Sequence, residues 1–74
     1  MPKPSPVLAA LDADSYTWLS IQAPELLDAV EQEIAAGKTP QFLMRQVAAH
    51  VGPEREALAM RVYQAARHIE RMHE

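Results

Sequence analysis

Apolar residues recur at helical spacing over most of the chain. Near the carboxyl end, Leu58, Val62, Ala65, Ile69 and Met72 follow one another at steps of four, three, four and three. That is the spacing of a narrow apolar seam along a helix. Ala59, Tyr63 and Ala66 widen the seam on one flank, and Arg61, Gln64, Arg67, His68 and Arg71 fill the opposite surface. Two earlier segments show the same period. Leu26, Leu27, Val30 and Ile34 make one apolar face, and Leu43, Met44, Val47, Ala48 and Val51 make another. Each of the three faces must be buried against something, and the natural partners are one another.

Punctuation residues fix the ends of these segments. Pro24, Pro40 and Pro53 suit the first position of a helix, where the missing N–H is not needed. Glu25 and Asp28 place negative charge near the positive end of a helix dipole, and Glu54 and Glu56 do the same in the last helix. Thr39 is an N-cap before Pro40, while Gly37 and Gly52 act as stops. Helices are therefore expected at 24–36, 40–51 and 53–72. The short connections, residues 37–39 and Gly52 alone, make sequential helices pack as neighbours.

The amino-terminal third is less plain. MPKPSP carries three of the six prolines and reads as an extended, flexible start. Val7 to Leu11 is a brief apolar run, one helical turn with Ser5 as N-cap and Pro6 as the first helical residue. SYTWLSIQ, residues 15–22, is rich in residues that favour strands, and Tyr16 and Trp18 share a face in an extended chain. A lone strand has no partner here unless another chain supplies one, so a short helix capped by Asp14 or Ser15 is the better reading. The expected fold is all-α: a small bundle of three main helices preceded by a short helical segment. Residues 1–6 form a flexible proline-rich terminus and residues 7–74 a single helical domain.

With 74 residues and no cysteine, the chain has neither a disulfide nor a thiolate zinc site to support a small core. The amino terminus lacks the long apolar stretch of a signal peptide, and no run approaches the roughly 20 residues needed to span a bilayer. A cytoplasmic location is the expectation. Net charge is −3 and unevenly placed. Residues 1–36 hold six acidic side chains against Lys3 alone, a balance of −5; residues 37–74 hold six basic against four acidic, a balance of +2. The two halves are able to attract each other, within one chain or between chains. Overall acidity disfavours binding that relies on phosphate neutralisation.

Gln46 to Gly52 resembles the first helix and turn of a helix-turn-helix motif, with Leu58 placed where a second helix packs inward. Pro53 and Arg61 depart from the pattern, and Glu54 and Glu56 occupy the turn that would face base edges. An ordinary helical hairpin is the stronger reading. His50, His68 and His73 do not share a ligand spacing, and Glu70 with His73 makes too sparse a metal site. Ser15 and Ser20 have no nearby histidine or elbow glycines, and the carboxylates fall on polar helix faces. No catalytic residue, cofactor site, metal or small-molecule substrate is expected.

What remains is recognition. Arg61, Arg67 and Arg71, with His68, form a basic stripe suited to an acidic protein surface, although such stripes are ordinarily solvated faces. Trp18 is expected in the core over the 24–36 helix, with a role as a partner-binding anchor as the alternative. Phe42 lies off the main 43/47/51 face and is a second candidate anchor, and Tyr63 is a third. The sequence thus leads to a small non-enzymatic protein–protein interaction module, an adaptor, assembly factor or inhibitor. It would present a helical face to a macromolecular partner or to itself, as a homodimer, with the 59/63/66 flank of the last helix offering apolar surface beyond what the core needs. The alternatives are an atypical helix-turn-helix DNA-binding regulator and, more remotely, a structural subunit of another enzyme.

Overall fold

Capping chemistry sets the architecture of residues 6–72, which the computed structural model describes. The expected Ser5 cap, most of the proline-rich terminus and His73 lie outside the described residues. Five α-helices and one 3-10 turn occur among those residues: α1 Pro6–Ala9, α2 Ala13–Gln22, α3 Pro24–Ala35, α4 Pro40–Val51, the turn Pro53–Arg55, and α5 Glu56–Met72. The fold is all-α, and the boundaries of α3 and α4 fall where proline, threonine and glycine place them, whereas the last α-helix, expected from Pro53, begins at Glu56 after the 3-10 turn.

Two expectations need correction. The segment ahead of α3 is more than a short piece: α2 runs for 10 residues, close to the 12 of α3, so four substantial helices make the bundle. Its cap is neither Asp14 nor Ser15 but Asp12, whose carboxylate accepts from the Ser15 backbone N–H at 3.0 Å. The helix continues through Thr17, Trp18 and Ile21 because Leu19 is drawn into the core at 1 % exposure. Tertiary burial outweighs the strand preference of its neighbours. Pro6 opens α1 as the first helical residue, the place its proline suits, rather than closing the flexible terminus.

Each junction has a local reason. Ala23, buried, ends α2 by donating to the Leu19 carbonyl at 2.9 Å and starts α3 by accepting from Leu27 at 3.1 Å. A residue before proline is steered away from helical backbone, so the chain turns there. At the end of α3, Gly37 (φ 81) donates to Ile34 at 3.0 Å, and Lys38 donates to Glu33 at 3.1 Å. That pair of bonds is a Schellman motif. Thr39 Oγ1 then accepts from Phe42 N–H at 3.2 Å and starts α4. Gly52, with φ 76 and ψ −179, ends it.

The core is built from one face of every helix. Leu8, Leu19, Val30, Leu43, Val47 and Val62 are its fully enclosed members, with Leu26, Leu58 and the alanines of α5 around them. The helical hairpin α4–α5 is the most closely packed pair, with α3 on α4, α2 on α3, and α1 across α5. Leu58, Val62 and Ala65 lie buried as the seam predicts, but the seam runs out: Ile69 is half-buried and Met72 is 69 % exposed. The flank is a correction. Ala59 and Ala66 belong to the same core, since α1 and α4 both pack on α5, so 59 and 66 offer no surplus face. Tyr63 sits half-buried at its edge. Trp18 likewise reaches the core only in part, packing against its margin rather than plugging its centre.

Candidate interaction surface

Two clusters of polar and aromatic side chains decorate this frame, and both depend on α5. The first joins α5 to the start of α2. Ser15, 3 % exposed, donates its hydroxyl to Asp12 Oδ1 at 2.7 Å, while the hydroxyl oxygen accepts from Arg61 Nη1 at 3.1 Å. Arg61 also contacts Asp12 Oδ2 at 3.4 Å. The Ser15 hydroxyl, the Ser15 N–H and the Arg61 charge all favour the ionised form and hold the Asp12 carboxyl below its ordinary value of 3.8. One turn further along α2, Trp18 lies beneath Arg55, whose guanidinium carbon is 4.4 Å from the ring centroid. Arg55, Arg61, Trp18 and Ser15 border a shallow groove together with Asp14 and Glu54. Its two arginines and two carboxylates leave it without a net sign.

The second cluster occupies the carboxyl half of α5. Arg67 Nη1 donates to the Tyr63 hydroxyl at 3.0 Å, with the guanidinium 5.9 Å from the same ring. Tyr63, Gln64, Arg67, His68 and Arg71 line one open groove. Here the lining carries arginines and a histidine and no carboxylate. Residues 57–69 contain no aspartate or glutamate at all.

The proposed recognition residues are therefore divided. Arg67, Arg71 and Tyr63 come together, but Arg61 does not join them. Six residues on a helix turn a side chain by about 120°, and Arg61 faces α2 while Arg67 and Arg71 face outward. Trp18 is half-buried and already covered by Arg55, so it is not a bare anchor. Phe42 is 43 % exposed at the start of α4, with Lys38 Nζ 5.1 Å from its ring centroid. Met60, which sequence reasoning passed over, is 41 % exposed on the outer face of α5. Its signal was present in the spacing: 60, 64, 67 and 71 are separated by four, three and four residues, a second seam opposite the first.

Among the described residues, no group of three or more His, Asp or Glu side chains is placed to hold a metal ion, and no helix is long and apolar enough to cross a membrane. The chain matches no known protein family, no curated protein and no solved structure.

Proposed function

We propose that the protein is a small non-enzymatic interaction module that presents the outer face of α5 to another protein chain. One observation carries this reading: α5 is used on both sides. Its inner face closes the core through Leu58, Val62 and Ala65, while its outer face displays Met60, Gln64, Arg67, His68 and Arg71, with the exposed Glu70 beside Arg67 and Arg71 screening part of their charge. Met72, 69 % exposed, extends an apolar contact beyond the end of the core. Methionine adapts to irregular partners, and arginine beside tyrosine supplies charge and flat contact area. Such a surface suits an acidic protein face, in the manner of an adaptor, assembly factor or inhibitor.

Two contacts weigh against the DNA-binding alternative. Arg55 is stacked on Trp18 and Arg61 is bonded to Asp12 and Ser15, so the basic residues nearest the turn are engaged by their own chain. Glu54 and Glu56 remain exposed at the same end of the hairpin, where they would repel phosphates.

Chemical crosslinking in the native host tests the reading. The parent protein is expected to give a discrete crosslinked species, with itself or with a foreign chain. A Met60→Ser/Arg71→Glu/Met72→Ser variant, folded by circular dichroism, should lose it. An unchanged crosslinking pattern in that variant would overturn the assignment of the outer face of α5.

A further inference from the structure

The segregation of charge along the chain becomes geometric in the fold. On α3, Glu25, Asp28, Gln32 and Ala35 are exposed at steps of three, four and three, an acidic stripe with small residues along it. On α5, Met60, Gln64, Arg67 and Arg71 form a basic stripe at steps of four, three and four. Both stripes have the register of a helix seam, and they are opposite in sign. Within one molecule they do not neutralise each other. α3 packs on α2 and α4, whereas α5 packs on α4 and α1, and α3 with α5 is not among the principal packed pairs. The contacts Arg61 makes with Asp12 satisfy a different acid, at the start of α2.

Resting on the reading of α5 as a docking face, we infer that its occupant is the α3 stripe of a second copy, and that the contact is reciprocal. In a two-fold pair, α5 of each molecule meets α3 of the other, so the surface is self-complementary and closes after two chains. Gln32 and Gln64 supply neutral hydrogen-bonding groups between the charged and uncharged ends of each stripe, and Ala35 gives Met60 or its neighbours room to approach. Exposed ion pairs contribute little each, so the association is modest and falls with salt. Its specificity comes from the mismatch of every other pairing: α3 on α3 sets acid against acid, and α5 on α5 sets base against base.

Analytical ultracentrifugation of the purified full chain tests this directly. At low ionic strength the mass should rise with concentration toward 16.6 kDa, twice the 8.3 kDa of one chain, and return to 8.3 kDa at about 0.5 M salt. Glu25→Lys/Asp28→Lys and Arg67→Glu/Arg71→Glu should each weaken self-association by about tenfold or more, by like-charge repulsion. An equimolar mixture of the two should restore it, because both contacts of the mixed pair again join opposite charges. Arg71→Glu alone, at an exposed position, serves where loss of the Arg67–Tyr63 contact disturbs α5. Three results would sink the inference: a parent chain that stays at 8.3 kDa to about millimolar concentration at low salt; charge-reversed variants, folded by circular dichroism, that associate like the parent; or a mixture that remains monomeric. Mass growing past 16.6 kDa with concentration would mean an open chain and would overturn the reciprocal geometry. If the purified protein is monomeric while crosslinking in the host still depends on Met60, Arg71 and Met72, the face binds a foreign acidic chain instead.

Discussion

Asp12 shows how much one residue can organise here. It terminates the turn after α1, caps α2 through the Ser15 N–H, and receives the Ser15 hydroxyl and the Arg61 guanidinium. Those donors favour the carboxylate, so the folded chain releases the proton more readily than the unfolded chain does. A depressed acid stabilises the fold fully above its ordinary value of 3.8 and loses that contribution as pH falls through the lower, folded value. The carboxylate is solvent-exposed, which limits the size of the effect. Asp12→Asn keeps a side chain able to cap but removes the charge. The variant is expected to be less stable than the parent at neutral pH, with the difference closing as pH falls below 3.8 and through the lower, folded value, where the parent carboxyl is protonated too. Thermal melts at several pH values read this, and a gap that persists undiminished in acid would show that charge is not the cause.

At the scale of elements, the two glycines make a contrast. Both have positive φ, and a β-carbon added at either would meet nothing within 4 Å, so substitution there is a matter of backbone conformation rather than of collision. Gly37 closes a Schellman motif, in which left-handed helical backbone is tolerated by other residues at about 1–2 kcal/mol. Gly52 combines φ 76 with ψ −179, a region that is nearly exclusive to glycine. Gly52→Ala is therefore expected to destabilise the fold by up to about 3 kcal/mol, and more than Gly37→Ala does. Denaturant titration of the two variants gives the order directly. The reverse order would mean that the α4–α5 connection relaxes freely, and the hairpin geometry would not depend on Gly52.

The whole molecule is a small core stretched over several helices. Its Cα radius of gyration of 11.2 Å matches the roughly 11 Å expected of a compact chain of this length. Leu43 is 1 % exposed on α4, the helix that holds α3 and α5 together. Removing it costs about 2–5 kcal/mol, counting the cavity, and a core of this size supplies only about 3–5 kcal/mol net. Leu43→Ala should thus leave much of the population unfolded at 25 °C, visible as lost helical circular dichroism and a broad amide spectrum. Retention of a cooperative transition close to the parent midpoint would show that the bundle draws its stability from elsewhere. Low salt and high concentration should partly rescue the variant if the α3–α5 association is real, because ligation of the folded state raises apparent stability by mass action.

The sequence by itself determined the helical class and the limits of α3 and α4. The signals there are local: a proline, a threonine or a glycine at each end, and apolar residues at one period between them. It also determined that charge is divided between two halves of the chain. Tertiary structure decided the rest. Residues 15–22 carry strand-favouring side chains with no apolar face of their own, so only the burial of Leu19 and the capping of the Ser15 N–H by Asp12 make them a helix. Arg61 and Arg67 look alike in a basic stripe, and only the position of α2 ties the first to Asp12 while the second bonds to Tyr63 on its own helix. Ala59 and Ala66 read as a spare flank until α1 and α4 cover them. Periodicity states which residues share a face of one helix; which faces are covered depends on where other helices cross, and that is set by contacts distant in sequence.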